Sequence, residues 1–402
     1  MLKKSSEAHF WGNKWNTKHG VRMLFKGMLD LVKPVNRTSI VVHEWNQTDV
    51  RKKRLPNASN LHQLSTERPN LSFSGCKLAH AVVKADYLDR RSLIMPGVGF
   101  LLQACSVIDF GKKPIELKPG AAKALNDFSL SSMAGRVGQG LAILYGHSLG
   151  LKFAAHLRSH VESLPTGSTG AAHKNTAMAD FLFASNQKTV LIESKGSFTL
   201  RKNNPSPIKA VLKSALQQQI DPWMSHLQPT PSNGYVIYSC LRDGASEPSA
   251  IFVVDPEGDD DESSDLPLDV EQVMRENYAA WLRAMGMTDS AERLLHPLLN
   301  VISEVEYEFL IAEIGGRKFA FLAHPHDCFA YYGWCNARIG LDFSVLQAIS
   351  SVIQSRDKPL RELLANLQDL SDFGETVFSV FPDGSILGMV DKYLVDYEQL
   401  LL

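Results

Sequence analysis

ADFLFASNQKTVLIESKG, running from Ala179 to Gly196, is the stretch on which the reading of this chain turns. Two apolar segments, 178–184 and 189–194, flank a polar Ser185-Asn186-Gln187-Lys188 break, the pattern of a β-hairpin. With Asn186 and Gln187 as a two-residue loop, Ser185 pairs with Lys188 and paired residue numbers keep a constant sum, so Asp180 falls opposite Glu193. A four-residue loop keeps that register. An odd loop would slip it by one and turn the two acids to opposite faces. Lys195 lies two residues beyond Glu193, and strand alternation returns it to the same side of the sheet. The spacing therefore predicts two carboxylates and one ammonium converging.

That cluster has a chemical logic. Two carboxylates among oxygen ligands hold a hard divalent cation such as Mg²⁺, which keeps several of its waters. Such a metal polarises a phosphoryl oxygen and lowers the pKa of a bound water. A lysine beside it positions the attacking water and offsets charge at the phosphorus, and the adjacent acids keep it protonated. Asp180…Glu193-Ser194-Lys195 resembles the active-site signature of the PD-(D/E)xK, or restriction-endonuclease-like, nuclease superfamily. The resemblance implies an αβββαβ core with a mixed central sheet, in an α/β chain that is α+β overall. It implies Mg²⁺ or Mn²⁺ held by Asp180, Glu193 and the backbone carbonyl of Ser194, with Lys195 near the nucleophile. It further implies phosphodiester hydrolysis in nucleic acid, DNA before RNA, in settings that span restriction, phage defence, repair and recombination.

The order of elements around the signature is similar to that core. Periodicity predicts a helix over 137–159, the hairpin, a helix over 207–221, and strands over 234–241 and 250–255. Glu193 and Lys195 also follow Thr189-Val190-Leu191-Ile192 on an apolar strand, where charge is expensive to bury without a partner. The chain departs from the family in three places. Ala179 stands where the family name has proline, the Gly/Ser/Thr-rich stretch 164–174 offers no first strand, and the only acid near the end of the first helix is Glu162.

Lys209, Lys213 and Gln217 recur every four residues and share a helix face, and Arg201 and Lys202 precede them. In a nuclease this group would contact phosphates; the plain reading is a solvated face. Charge is divided unevenly along the chain. Residues 1–215 hold 31 Lys and Arg against 13 Asp and Glu, and the remainder holds 11 against 30, although the formal net charge is −1. Such asymmetry points to nucleic-acid contact by the basic part. Arg51-Lys52-Lys53-Arg54, with Trp11, Lys14, Trp15 and Lys18, supplies charge and aromatic faces for it.

At 402 residues the chain is too long for one ordinary core. Composition shifts divide it into an N-terminal basic α+β region at 1–130, the nuclease-like core at 131–256, an acidic linker at 257–268 and a C-terminal α+β domain at 269–402. In the C-terminal part a helix is expected over 270–285, hairpins turning at Gly315-Gly316 and at Pro382-Asp383-Gly384-Ser385, and a helix over 343–354. The flanking regions would select substrate, a protein partner or a second copy. Five scattered cysteines, no apolar leader at Met1-Leu2-Lys3-Lys4 and no segment of membrane-spanning length fit a cytoplasmic protein with reduced thiols and no membrane contact.

Two rival motifs lie outside the signature. Gly146-His147-Ser148-Leu149-Gly150 matches G-x-S-x-G, the nucleophile elbow of α/β-hydrolases, with Asp255 and His296 as loose partners for Ser148. That elbow requires a strand before the serine, yet Val137, Leu141, Leu144, Ser148, Leu151 and Ala155 also step as one helical stripe. His324, His326, Cys328 and Cys335 offer zinc donors at a spacing unlike the usual zinc patterns. A third alternative is a nucleic-acid-binding or assembly protein on an inactive nuclease fold.

Overall fold

Short β-branched and aromatic runs bounded by polar breaks become strands of two main sheets, and amphipathic stretches become the helices that cover them. The computed structural model describes residues 37–52, 60–89, 104, 106–164, 176–185, 188–227, 230–244, 247–255, 270–296, 305–323, 337–355, 358–365 and 377–402. Strands β1 (Arg37–Asn46) and β2 (Ser65–Ser74) pair antiparallel, and a small ladder of β3 (Ile108–Asp109) and β4 (Glu116–Leu117) comes next in the chain. Strands β5 (Phe153–His156), β6 (Phe181–Ala184), β7 (Thr189–Ser197), β8 (Asn233–Cys240) and β9 (Ala250–Asp255) join the first two in a seven-stranded sheet ordered β2-β1-β9-β8-β7-β6-β5. The pairs β1/β9 and β7/β8 are parallel and the other neighbours antiparallel, so the sheet is mixed.

Both faces of this sheet are covered, and for that reason its central strands read as nearly continuous apolar runs. Helices α1 (Gly75–Leu88) and α2 (Asp127–Ser148) bring Leu78, Val82, Val137 and Leu141 onto the face that carries Val190, Ile192 and Ile237. Helix α3 (Pro205–Ala215) and helix α4 (Val270–Ala284) bring Ile208, Leu212, Val273 and Met274 onto the face of Leu182, Leu191 and Val236. A π-helical turn, Leu216–Ile220, and a further helical segment, Asp221–His226, continue α3. The second sheet is antiparallel throughout and ordered β13-β14-β12-β11-β10-β15. Its strands are β10 (Glu306–Ile314), β11 (Arg317–Leu322), β12 (Ala337–Asp342), β13 (Phe378–Val380), β14 (Ser385–Met389) and β15 (Leu394–Leu401). Helix α5 (Phe343–Gln354) packs on β11 and β12. Gly315 and Gly316 turn β10 into β11 with φ of +58° and +76°, as the two-residue hairpin turn requires. Among the described residues no helix is long and apolar enough to cross a membrane.

The structure corrects two readings. The single helix expected over 137–159 is α2, then a break at Gly150 with φ +78°, then β5 and a short helix, Leu157–Ser163. A left-handed glycine ends α2, and Phe153-Ala154-Ala155 is free to add an edge strand to β6. The strand that precedes the β6–β7 hairpin is thus β5, upstream of 164–174. The expected boundary at 130 divides no sheet: β1 closes the edge of β9, placing residues 37–46 beside 250–255. Across the other expected boundary, α4 packs on β5, β6 and α1. The acidic stretch 257–268 lies outside the described residues.

Candidate active site

Phe181 faces Ile192 and Ala184 faces Thr189, which is the constant-sum register of a two-residue loop. The Ser185 N–H donates to the Lys188 carbonyl at 2.8 Å, closing the hairpin. One step beyond β6 the same register carries Asp180 to Glu193, and the Asp180 N–H donates to Glu193 Oε2 at 3.1 Å. The Ser194 N–H and hydroxyl both donate to Asp180 Oδ2, at 3.0 and 2.5 Å. Lys195 Nζ is ion-paired with Glu193 Oε1. The predicted trio converges at the start of β6 and the second half of β7, on the face covered by α3 and its π-helical extension.

Burial sets the electrostatics. The Glu193 side chain is 1% exposed, whereas the Lys195 side chain is 37% exposed at the mouth of the cluster. Burial first, and the Asp180 charge second, push the Glu193 carboxyl up to about 8, against the opposing pull of Lys195 and a hydrogen bond from Gln219. Two acids held this way repel each other's ionised form, and a cation between them relieves the repulsion. The residues present fit a hard divalent ion. Asp180 and Glu193 offer carboxylate oxygens, and N–H and C=O of one strand residue leave on the same side, so the Ser194 carbonyl faces the Asp180 side of β7. Among the described residues no group of three or more His, Cys, Asp or Glu side chains gathers to hold a metal; a cation here would have two carboxylates and a carbonyl as protein donors, with water for the remainder.

Three contacts hold the cluster in place. The Leu157 N–H donates to the Asp180 carbonyl at 3.0 Å, tying the residue after β5 to the start of β6. Trp223 Nε1 donates to the Ala177 carbonyl at 2.8 Å and Gln219 Nε2 to the Met178 carbonyl at 3.0 Å, anchoring the segment that leads into Asp180. On the opposite face, α2 lies directly on β7: a Cβ at Gly196 would fall 1.8 Å from the Ala134 carbonyl oxygen, and one at Gly138 would meet the Gly196 backbone at 3.1 Å. The helix can come this close, one residue past Lys195, because both positions lack side chains.

The other residues singled out in the sequence lie away from the acids. Gln217 is exposed, and Gln219 reaches Glu193 in its place. The i+4 spacing counted for an α-helix fails here because the π-turn adds a residue and rotates the side chains beyond it. The three consecutive glutamines, 217–219, were the one signal available. Lys213 Nζ donates to the carbonyls of Arg51 and Lys52, and the largely buried Lys209 packs on the same side. This row meets the end of a short helix, Gln47–Arg51, rather than Asp180 and Glu193. Arg51 is itself ion-paired with Asp221 at 2.7 Å. Arg201 and Lys202 are exposed in the loop after β7. Ser148 ends α2 and donates to the Tyr145 carbonyl at 2.6 Å; Leu141 to Tyr145 are helical, so the strand that a nucleophile elbow needs is absent before it. Asp255 closes β9, and His296 comes directly after a helix, Thr288–Leu295. Trp11, Lys14, Trp15, Lys18, Lys53, Arg54 and the His324, His326, Cys328 and Cys335 group lie outside the described residues. In comparisons with known proteins, no family model, no curated protein and no solved structure matches the chain.

Proposed function

We propose that this protein is a metal-dependent nuclease that hydrolyses phosphodiester bonds in nucleic acid, DNA before RNA. The observation that carries the reading is the cross-strand contact of Asp180 and Glu193 with Lys195 on the same side of β7. The surrounding order supports it. Apart from the short helix Leu157–Ser163 between β5 and β6, helix α2, strands β5, β6 and β7, helix α3 and strand β8 follow in the order α-β-β-β-α-β in a mixed sheet, an order similar to that expected of a restriction-endonuclease-like core. Asp180, Glu193 and the Ser194 carbonyl would hold Mg²⁺ or Mn²⁺. When bound, the ion supplies Lewis-acid polarisation of a phosphoryl oxygen and a water of lowered pKa.

The chain's own residues then divide the remaining work. On taking up a cation Glu193 would release to bulk water the proton that burial favours, and Lys195, sharing Oε1 with that cation, would be left free to face the substrate. The Lys195 ammonium, at the exposed mouth, orients the attacking water and faces the charge that accumulates on the phosphoryl oxygens. Gln219 keeps Glu193 and the Met178 carbonyl in place without touching the reacting atoms. Ser194 fixes one oxygen of Asp180, leaving the other carboxylate oxygen for the ion.

The test is nicking or degradation of double- and single-stranded DNA and of RNA with Mg²⁺ or Mn²⁺, repeated with a chelator. Asp180→Asn, Glu193→Gln and Lys195→Ala should each lower cleavage by at least about a hundredfold while leaving substrate binding intact, and Lys195→Ala should still bind metal. The double change Asp180→Asn with Glu193→Gln should be no worse than either single, because groups acting as a unit are non-additive. Chelator-resistant cleavage, or full activity in either acid variant, would remove the mechanism. Absence of cleavage on every substrate would favour a binding protein on an inactive fold.

A further inference from the structure

A second recess opens at the carboxyl ends of the parallel pair β7 and β8. Ser197 opposite Cys240 is the last rung of that ladder, and beyond it a cavity of about 230 Å³ is lined by Phe198, Leu200, Arg201, Asp243 and Lys123. Phe198 belongs to the core on the α1/α2 face and Leu200 packs against the core on the α3/α4 face, so the cavity straddles the end of the sheet. Ligands of open α/β sheets gather at such strand ends.

The walls are fixed by one side chain that sequence reading did not single out. Arg242 is 2% exposed; its guanidinium donates to the Leu200 carbonyl at 3.3 Å, to the Pro248 carbonyl and to Asn203 Oδ1. Its backbone N–H donates to Ser249 Oγ at 3.0 Å, and its carbonyl accepts from the Leu117 N–H at 2.8 Å. The loops after β4, β7 and β8 are thus pinned to one buried cation, while Lys123 and Arg201 on the rim are exposed and Asp243 is half-buried. Those three make no ion pair among the described residues.

We propose that this cavity is a nucleotide subsite for the strand being cut, with a backbone phosphate on Lys123 and Arg201 and an amino group of the base donating to Asp243. The inference rests on the nuclease reading and adds a preference to it. Two cations and one acceptor beside apolar walls match a nucleotide whose base carries an amine at its edge. Cytosine presents its N4 amine where thymine carries the O4 acceptor, which the Asp243 carboxylate would repel. Three residues separate Lys195 from Phe198, at most about 10 Å of extended chain at ~3.3 Å per residue. On a strand rising ~3.4 Å per nucleotide, the contacted unit lies no more than about three nucleotides from the cut.

Fluorescence anisotropy of the full chain with 12-mer oligo(dC) and oligo(dT), in chelator to prevent cleavage, decides it. Wild type should bind oligo(dC) about tenfold more tightly, the discrimination of one good polar base contact. Asp243→Ala should erase that preference without weakening oligo(dT). Lys123→Ala with Arg201→Ala should flatten the slope of log Kd against log salt by about 0.7, the share of one phosphate on a single strand. A wild type that cleaves nucleic acid but shows no preference, or variants that keep both preference and slope, overturn the subsite and leave the nuclease standing. A wild type that neither binds nor cleaves overturns both.

Discussion

Glu193 answers to two opposed demands. To bind a cation it must be ionised, yet burial and Asp180 raise its carboxyl to about 8, from an ordinary value of 4.5. Folded metal-free protein therefore holds this proton more tightly than the unfolded chain does. The associated stability is fully present below the unfolded pKa and is lost as pH climbs through about 8, at a slope approaching about 1.4 kcal/mol per pH unit. Glu193→Gln keeps the shape without the charge. In urea titrations of chelated protein, its midpoint should match that of wild type near pH 4.5 and exceed it increasingly up to pH 8, although the variant cannot cut. Wild type and variant running parallel across that range would show that the carboxyl is not perturbed. Cleavage at subsaturating metal should rise over the same interval, since the ligand must shed its proton first. Parity of strand positions made Asp180, Glu193 and Lys195 legible from the sequence, whereas Gln219 was hidden by a π-turn that no periodicity announces.

At the level of elements, α2 rests directly on the backbone of β7. Glycines 135, 138 and 196 look alike in the sequence, but the space around each differs. A Cβ at Gly196 would overlap the Ala134 carbonyl, while one at Gly135 meets nothing within 4 Å. Gly196→Ala should therefore destabilise the protein by about 1–3 kcal/mol, because backbone rather than a flexible side chain must move. It should also lower the rate of cleavage by shifting β7 beneath Lys195. Gly135→Ala should instead stabilise α2 by about 0.5–1 kcal/mol, since alanine loses less backbone freedom in a helix. Equal effects in denaturant unfolding would show that α2 does not rest on β7 as described.

For the whole molecule, the decisive interaction joins segments about three hundred residues apart. Lys84 on α1 is ion-paired at 2.5 Å with Asp383 in the β13–β14 turn, and both side chains are buried. Burial alone would raise the Asp383 carboxyl, but Lys84 and a 2.7 Å hydrogen bond from Asn277 on α4 hold it below the usual range. Asn277 Oδ1 in turn accepts from the Ala154 N–H on β5, and the Tyr278 hydroxyl donates to the Asp383 carbonyl at 3.0 Å. His80 on α1 stacks on Phe381 with 3.8 Å between ring centroids. The edge strand beside the candidate site is thus capped through α4 to the C-terminal sheet. Lys84→Met should cost about 3–5 kcal/mol, as removal of one partner strands a buried charge, and Lys84→Met with Asp383→Asn should cost less than the sum of the singles. Additive losses in urea unfolding would mean the two groups do not interact.

The sequence by itself determined what is local: the β6–β7 register, the bounds of β9 and α5, the Gly315-Gly316 turn, and the face shared by two acids and a lysine. Each comes from a period of two or 3.6 residues, or from turn chemistry, and needs no knowledge of distant chain. Only the tertiary structure decided that β1 closes the edge of β9, that β5 joins β6 as the edge strand, and that Lys209 and Lys213 turn to the end of a short helix instead of the acids. Strand partners far apart in sequence leave no mark in either strand's own pattern, because an open edge accepts any strand whose apolar face fits. Composition divided the chain at residue 130, but hydrogen bonding and burial joined the two sides, since the edge of β9 and the buried Lys84 find their partners across the boundaries that composition draws.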